Sequence, residues 1–273
     1  MTTWTDLWSE LDRWHEAEQT ATFWWRDDDA VSSTTALERL LTISARSAAG
    51  LALAVIPEGC AESLVTTLGQ VSKSGGAEIA VLQHGIAHRN TAPAGEKKTE
   101  LSAAVPLAVL SSGLIAGLHR LSDLFGDRAL PVLVPPWNRI APELVARLPS
   151  LGFLGLSTYK ARHRPDPAPG LLQVNSHADL LRWKPERGFL GESETLALLL
   201  NHLQARRAAL SGADAAPGFD SREPTGILTH HLVHDEATWK FLELLLDGLN
   251  RHPAAQLLDP SEVFLPAGRH RKS

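Results

Sequence analysis

Residues 22–31 read TFWWRDDDAV. An apolar, aromatic run with the composition of a buried strand leads directly into three consecutive carboxylates. Adjacent carboxylates repel one another, and at the edge of a sheet they are costly unless cations neutralise them. Read as a strand end, the stretch places a polar site at the C-terminal edge of a sheet, with Arg26 or a metal ion as counter-charge. A solvated turn or helix-capping cluster is the plain alternative.

Working outward, short apolar runs alternate with segments of helical period. The runs are Ala21–Trp25, Leu51–Ile56, Ile79–Leu82, Leu130–Val134, Phe153–Leu156 and Gly226–Thr229, with Leu171–Asn175 as a seventh. The helical segments are 34–48, 60–73, 104–125, 140–148, 192–210 and 236–250. This alternation predicts an α/β fold with mostly parallel strands. About seven such units without a GxGxxG fingerprint favour a distorted (β/α)7-type barrel over a dinucleotide-binding sheet. The 273 residues fit one domain, 1–273, with an extra N-terminal helix within 1–20 and a frayed basic tail at 267–273. Residues 160–170 and 211–224, rich in Pro, Gly and charge, read as surface loops.

Net charge is −5 and no basic stripe stands out, so nucleic acid is not an expected partner. No apolar run approaches membrane-spanning length. The first residues lack a basic n-region and an apolar core, and the single cysteine, Cys60, excludes an intramolecular disulfide. The expected location is cytoplasmic. Trp4, Trp8 and Trp14 recur at near-helical spacing and predict packing of the first helix onto the barrel, or an oligomer interface.

Polar clusters follow the apolar runs, and in a parallel barrel such positions gather at one face. His84 and His88, four apart, fall on one face of a helical turn and can grip one metal ion; two surface histidines is the plainer reading. Among Asp27, Asp28 and Asp29, one carboxylate as ligand and a neighbour as general base would separate their roles. His230 ends the last run and suits proton donation, with His231 pointing the other way if the strand continues; His234 and Asp235 could start the next helix. In Val134–Arg139, two prolines fix a loop and Trp137 offers a flat wall for a sugar, or packs in the core. Gly95–Glu100 reads as a solvated charge run or a lid, and His177 as a structural or supporting histidine.

The order of these clusters resembles the polysaccharide deacetylase family, the NodB-homology group of carbohydrate esterases. Its TFDDG, H[ST]xxH, RPPY, DxxDW and LxH motifs are similar to RDDDA at 26–30, HGIAH at 84–88, VPPWN at 134–138, DLLRW at 179–183 and LTH at 228–230. The resemblance implies a distorted barrel holding one divalent metal ion, zinc foremost, on Asp29, His84 and His88. It implies Asp28 as general base, His230 as general acid, the Trp137 N–H as oxyanion donor and Asp179 as an orienting residue. Trp137, Asn138 and Trp183 would bind substrate. The implied substrate is an N-acetylated or N-acylated sugar. A catalytically impaired sugar-binding protein and a metal-dependent amidohydrolase on a small amide remain the other readings.

The chain departs from these motifs at several places, among them Trp137 where the motif has Tyr and Arg182 where it has its second Asp. Ala30 stands for glycine and Asp27 for phenylalanine, so Asp27 as base with Asp28 as ligand stays open. Gly85 stands for Ser/Thr. Val134 stands for the loop arginine that pairs with the base; Arg139, in the same loop, is the favoured replacement, with Arg26 and Arg182 as the others.

Overall fold

In the computed structural model, which describes residues 1–73, 77–212 and 219–265, the strand carrying TFWW does not stop at the aspartates. β1 spans Ala21–Ala30 and includes all three. The other strands are β2 (Leu51–Val55), β3 (Ile79–His84), β4 (Ala129–Val134), β5 (Gly155–Leu156), β6 (Leu172–Gln173), β7 (Ala178–Asp179), β8 (Leu181–Arg182), β9 (Gly188–Phe189), β10 (Thr225–Thr229) and β11 (Ala255–Leu257). The helices are α1 (Trp4–Glu16), α2 (Thr35–Ser47), α3 (Glu62–Lys73), α4 (Leu107–Phe125), α5 (Pro142–Arg147), α6 (Glu192–Leu210), α7 (Glu236–Arg251) and α8 (Pro260–Phe264). All seven anticipated runs form strands and all six anticipated helical segments form helices. β7, the antiparallel β8–β9 hairpin, β11 and α8 were not anticipated; each is two to five residues long, too short to show a period.

The main sheet is parallel, in the order β6-β5-β4-β3-β2-β1-β10-β7, with β11 against the start of β1. One irregular segment, 172–179, begins as β6 beside β5, bridges Tyr159 through Ser176, and ends as β7 beside β10. It joins the two edges and curls the sheet into a distorted barrel, a single α/β domain.

Side chains alternate along β1. Trp24 faces the barrel interior, packed with Ala52, Ala54, Ala80, Leu82 and Val132, while Phe23 and Trp25 face the surrounding helices. The small alanines make room for the indole, which donates through Nε1 to the Asn175 carbonyl at 3.1 Å. Phe264 of α8 closes one end of this interior, its ring edge-on to Trp24 at 5.4 Å.

Helix α1 begins with a capping box between Thr3 and Asp6, worth about 1 kcal/mol. It buries Trp14 under the Arg206 guanidinium and stacks Trp4 on Trp8 and against Phe241 of α7, which is the packing its tryptophan spacing predicts. The expected basic tail at 267–273 and residues 213–218 of the expected 211–224 loop lie outside the described residues. Among the described residues, no helix is long and apolar enough to cross a membrane.

Candidate active site

The C-terminal ends of β1, β3, β7 and β10 meet the loop after β4 at one mouth of the barrel. The alternation of β1 carries Arg26 and Asp28 inward beside Trp24 and turns Asp27 outward. Asp29 would follow Asp27 outward, but its backbone is left-handed (φ 74°) and the β1–β2 register shifts between Asp27 and Ala30. This bulge re-aims one residue, so the adjacent Asp28 and Asp29 both serve the cleft.

His84 and His88 do not share a helical turn. His84 is the last residue of β3, and the chain then turns at Gly85 (φ 62°) to His88 (φ 55°). The buried carboxylate of Glu100 shapes this turn. It accepts the main-chain N–H groups of Ile86, Ala87 and Arg89 at 2.8, 2.8 and 3.1 Å. A Cβ at residue 85 would lie 2.1 Å from that carboxylate and 2.5 Å from Pro136, which explains glycine there. Glu100 was read as part of a solvated charge run; it is instead the anchor of the histidine loop.

His84 Nε2 and His88 Nε2 lie 3.1 and 3.3 Å from the same oxygen, Asp29 Oδ1. His84 Nδ1–H donates to the Val134 carbonyl at 3.0 Å, so Nε2 is the nitrogen aimed at Asp29: with its proton it donates to Asp29 Oδ1, and without it it presents a lone pair to a cation. Burial opposes ionisation of Asp29, but the His84 hydrogen bond and the charges of His84, His230 and His88 outweigh it and hold the carboxyl well below its ordinary range. Burial and the nearby His84 charge keep His88 below the ordinary histidine value. Two imidazoles and a carboxylate, with the carboxylate ionised and a nitrogen lone pair presented, match the donor set of a divalent metal site.

Asp28 is buried beside Arg26. Arg26 Nη2 donates to Asp28 Oδ2 at 3.0 Å, and Nε lies 2.8 Å from Oδ1. The guanidinium also donates to Ser157 Oγ at 2.6 Å, the Thr158 carbonyl at 3.2 Å and Asn138 Oδ1 at 2.8 Å. Arg139, the favoured partner, is exposed and donates to the Lys98 carbonyl; Arg182 is exposed as well. The correction has a simple cause: Arg26 and Asp28 are two apart on a strand that continues, and therefore share a face. Asn138, expected to meet substrate, spends its carbonyl oxygen on Arg26.

On the opposite wall, His230 Nδ1 is 3.7 Å from Asp179 Oδ1 and its Nε2 is 4.0 Å from Asp28 Oδ2. Asp179 accepts from Trp183 Nε1 at 2.8 Å and from the Leu181 N–H at 3.0 Å. Burial raises its pKa, against the opposing charge of His230 and these hydrogen bonds. The Trp183 ring stands edge-on to His230 at 4.7 Å, carries the Arg187 guanidinium over it at 5.1 Å, and is still 42% exposed. Trp137 lies 4.4 Å from the His88 ring.

Trp137 and Asn138 are both left-handed, at φ 56° and 55°. Of the seven non-glycine residues with positive φ among those described, Asp29, His88, Trp137 and Asn138 lie in this cleft. Each costs about 1–2 kcal/mol, and such strain concentrates where function needs a particular aim.

The structure thus brings Asp28, Asp29, His84, His88, Trp137, Asn138, Asp179, Trp183 and His230 to one mouth and leaves Arg139 outside. Asp27 is also outside, on the helix-facing side of β1, hydrogen-bonded to His231.

This architecture is that of the NodB-type polysaccharide deacetylases. The chain aligns over 90% of its length with 90% of a Mycobacterium smegmatis protein designated a polysaccharide deacetylase, at TM-score 0.60 and 14% identity. A peptidoglycan deacetylase from Bacillus subtilis aligns over 90% of both chains at TM-score 0.52 and 13% identity. A family 4 acetyl xylan esterase from Clostridium thermocellum, in complex with a cobalt ion, aligns over 89% of this chain and 90% of its own at TM-score 0.50 and 12% identity. No protein-family model and no curated protein matches the sequence. At these identities the likeness is one of fold.

Proposed function

We propose that this chain is a metal-dependent hydrolase that removes an N-acetyl or related N-acyl group from a sugar. The observation that carries the reading is the meeting of Asp29, His84 and His88, with Asp28 and His230 facing them from two other strands. Asp29, His84 and His88 would hold the ion. A divalent ion bound there, zinc by its liking for this donor set, supplies Lewis-acid polarisation of the acyl carbonyl and of a water.

The protein's own groups divide the remaining work. Asp28, aimed by its contact with Arg26, takes the proton of the attacking water. The Trp137 N–H, presented by its left-handed backbone, donates to the developing oxyanion. His230 protonates the departing amine, with Asp179 beside its Nδ1. Trp183 and Trp137 wall the substrate. The reading as an impaired binding protein rested on the missing loop arginine, and Arg26 beside Asp28 removes that motive.

The test is acetate release from N-acetylglucosamine oligomers and from small N-acetyl metabolites by metal-loaded protein. Turnover on the oligomers, lost in Asp28→Asn with metal retained, supports the proposal. Turnover only on small amides moves the substrate class. Bound metal without turnover on any acylated compound would sink it. The expected cytoplasmic location belongs to the same proposal and is checked by cell fractionation.

A further inference from the structure

Asp27 is the one aspartate of the three that the proposed chemistry leaves unused, yet it is fully buried and the most heavily bonded. Thr229 Oγ1 donates to its Oδ2 at 2.7 Å, and the His231 main-chain N–H donates to the same oxygen at 2.9 Å. His231 Nδ1–H donates to Oδ1 at 2.5 Å. Trp25 Nε1 holds the Thr229 hydroxyl from the other side at 2.8 Å. Every partner of Asp27 is therefore a residue flanking His230.

The His230 side chain is held loosely by comparison. Its nearest carboxylate oxygens are 3.7 and 4.0 Å away, and its buried Nδ1 has no hydrogen-bond partner. It sits where β10 gives way to a short turn over His231–Val233, its main-chain N–H donating to His234 Nε2 at 3.3 Å and its carbonyl accepting the Val233 N–H at 3.0 Å. With little to fix the ring directly, its aim follows from the main chain on either side. That main chain is tied, before and after, to one carboxylate on the central strand.

We propose that Asp27 and His231 form a clamp behind the site that positions His230 as proton donor. The clamp rests on the role given to His230 above. Asp27 and His231 touch neither substrate nor metal, so both are positioning residues. The motif that this stretch resembles has phenylalanine at this position, which offers no acceptor, so the clamp belongs to this chain.

The test uses the difference between leaving groups. An amine leaves only with a proton, whereas para-nitrophenolate leaves without one, so a misplaced acid penalises amides and spares aryl esters. Asp27→Leu/His231→Leu removes both partners together and leaves no buried lone charge; Asp27→Asn keeps an acceptor and serves if the first variant fails to fold. Acetate release from N-acetylglucosamine oligomers should fall about 100-fold in the double variant, and para-nitrophenyl acetate hydrolysis by less than about threefold. Asp27→Asn should lie between on the amide. In a His230→Ala background the double substitution should cost nothing further.

Equal losses on both substrates, or losses that multiply with His230→Ala, would overturn the clamp. Hydrogen exchange over residues 229–231 judges it without turnover: exchange should rise at least about tenfold in Asp27→Asn and stay unchanged around His84 and His88. Unchanged exchange there overturns the clamp. A wild-type protein inert on both substrates overturns the proposed function, leaving exchange to decide the clamp.

Discussion

Two clusters in this barrel have the same composition, two histidines and one carboxylate, with all donor atoms within 4.8 Å of one another. Asp29, His84 and His88 sit at the C-terminal ends of the strands. His177, His202 and Glu223 are buried at the opposite end, around Thr225, the first residue of β10. Composition and distance do not tell them apart; hydrogen-bond direction does. His84 Nδ1 donates to a carbonyl, which leaves the Nε2 lone pair for a cation. His177 Nδ1 accepts the Gly226 N–H at 2.9 Å, which puts the ring proton on Nε2, facing Glu223 Oε2 at 3.3 Å. The His177 and His202 rings also stack at 3.5 Å and 19°, so their in-plane lone pairs run side by side and do not converge. The lower cluster is a buried polar network that ties α6 and the 160–175 loop to the sheet through Arg206, Arg162 and Glu223. A metal site needs a free lone pair as well as the right residues.

The largest effect expected from this contrast is on bound metal. His84→Ala/His88→Ala should lower divalent metal from about one ion per chain to near zero. His177→Gln/His202→Gln should leave it unchanged. Elemental analysis that finds the ion lost from the lower variant would break the comparison.

Next in size is the reaction rate. Asp28→Asn should slow acetate release by about 100- to 10,000-fold with metal retained, whereas Glu223→Gln should leave the rate per folded molecule within about twofold. Third is stability. Arg26→Met strands the buried Asp28 carboxylate and should cost about 3–5 kcal/mol by urea denaturation, along with activity. Arg206→Met should destabilise without lowering the rate of the folded fraction.

The smallest effect is a pH dependence. Burial, with the charges of Arg206 and Arg162, lowers the His177 pKa from 6.5 to about 3, and burial lowers His234 to about 4. Between 6.5 and those values the unfolded chain binds protons that the native chain does not, so these groups weaken the fold as pH falls. Glu223 has the opposite sign. Burial raises it from 4.5 to about 7, despite the Arg162 and Asn175 N–H groups. Between those values the native chain binds the extra proton, so its contribution favours the fold as pH falls. Glu223→Gln removes that offset, and the acid loss of stability between pH 7 and 4.5 should steepen by about 1–3 kcal/mol in total. A shallower curve would place the Glu223 proton elsewhere.

The histidine and aspartate positions were legible because their order along the chain follows the order of the strands, and a parallel barrel puts every strand's C-terminal end at one mouth. Glu100 was not legible, because its three partners are backbone groups 11 to 14 residues away on a turn with no sequence period. Arg26 ranks below Arg139 in the sequence because the apolar run stops at Trp25, and residues 26 and 28 share a face only because the strand continues through the aspartates. The Asp27–His231 bond joins residues 204 apart and leaves no local mark.

Sequence alone determined the class of fold and which residues could reach its mouth, since both follow from local period and strand order. It left two pairings of the three aspartates open, Asp28 with Asp29 and Asp27 with Asp28. The tertiary structure assigned each one a side. Alternation on a strand that continues turns Asp27 outward and Asp28 inward, and one left-handed residue at the bulge turns Asp29 back toward the cleft. Asp28 meets its partner two residues away on the same strand, whereas the partners of Asp29 and Asp27 lie 55 and 204 residues away, and only the closed barrel brings those segments together.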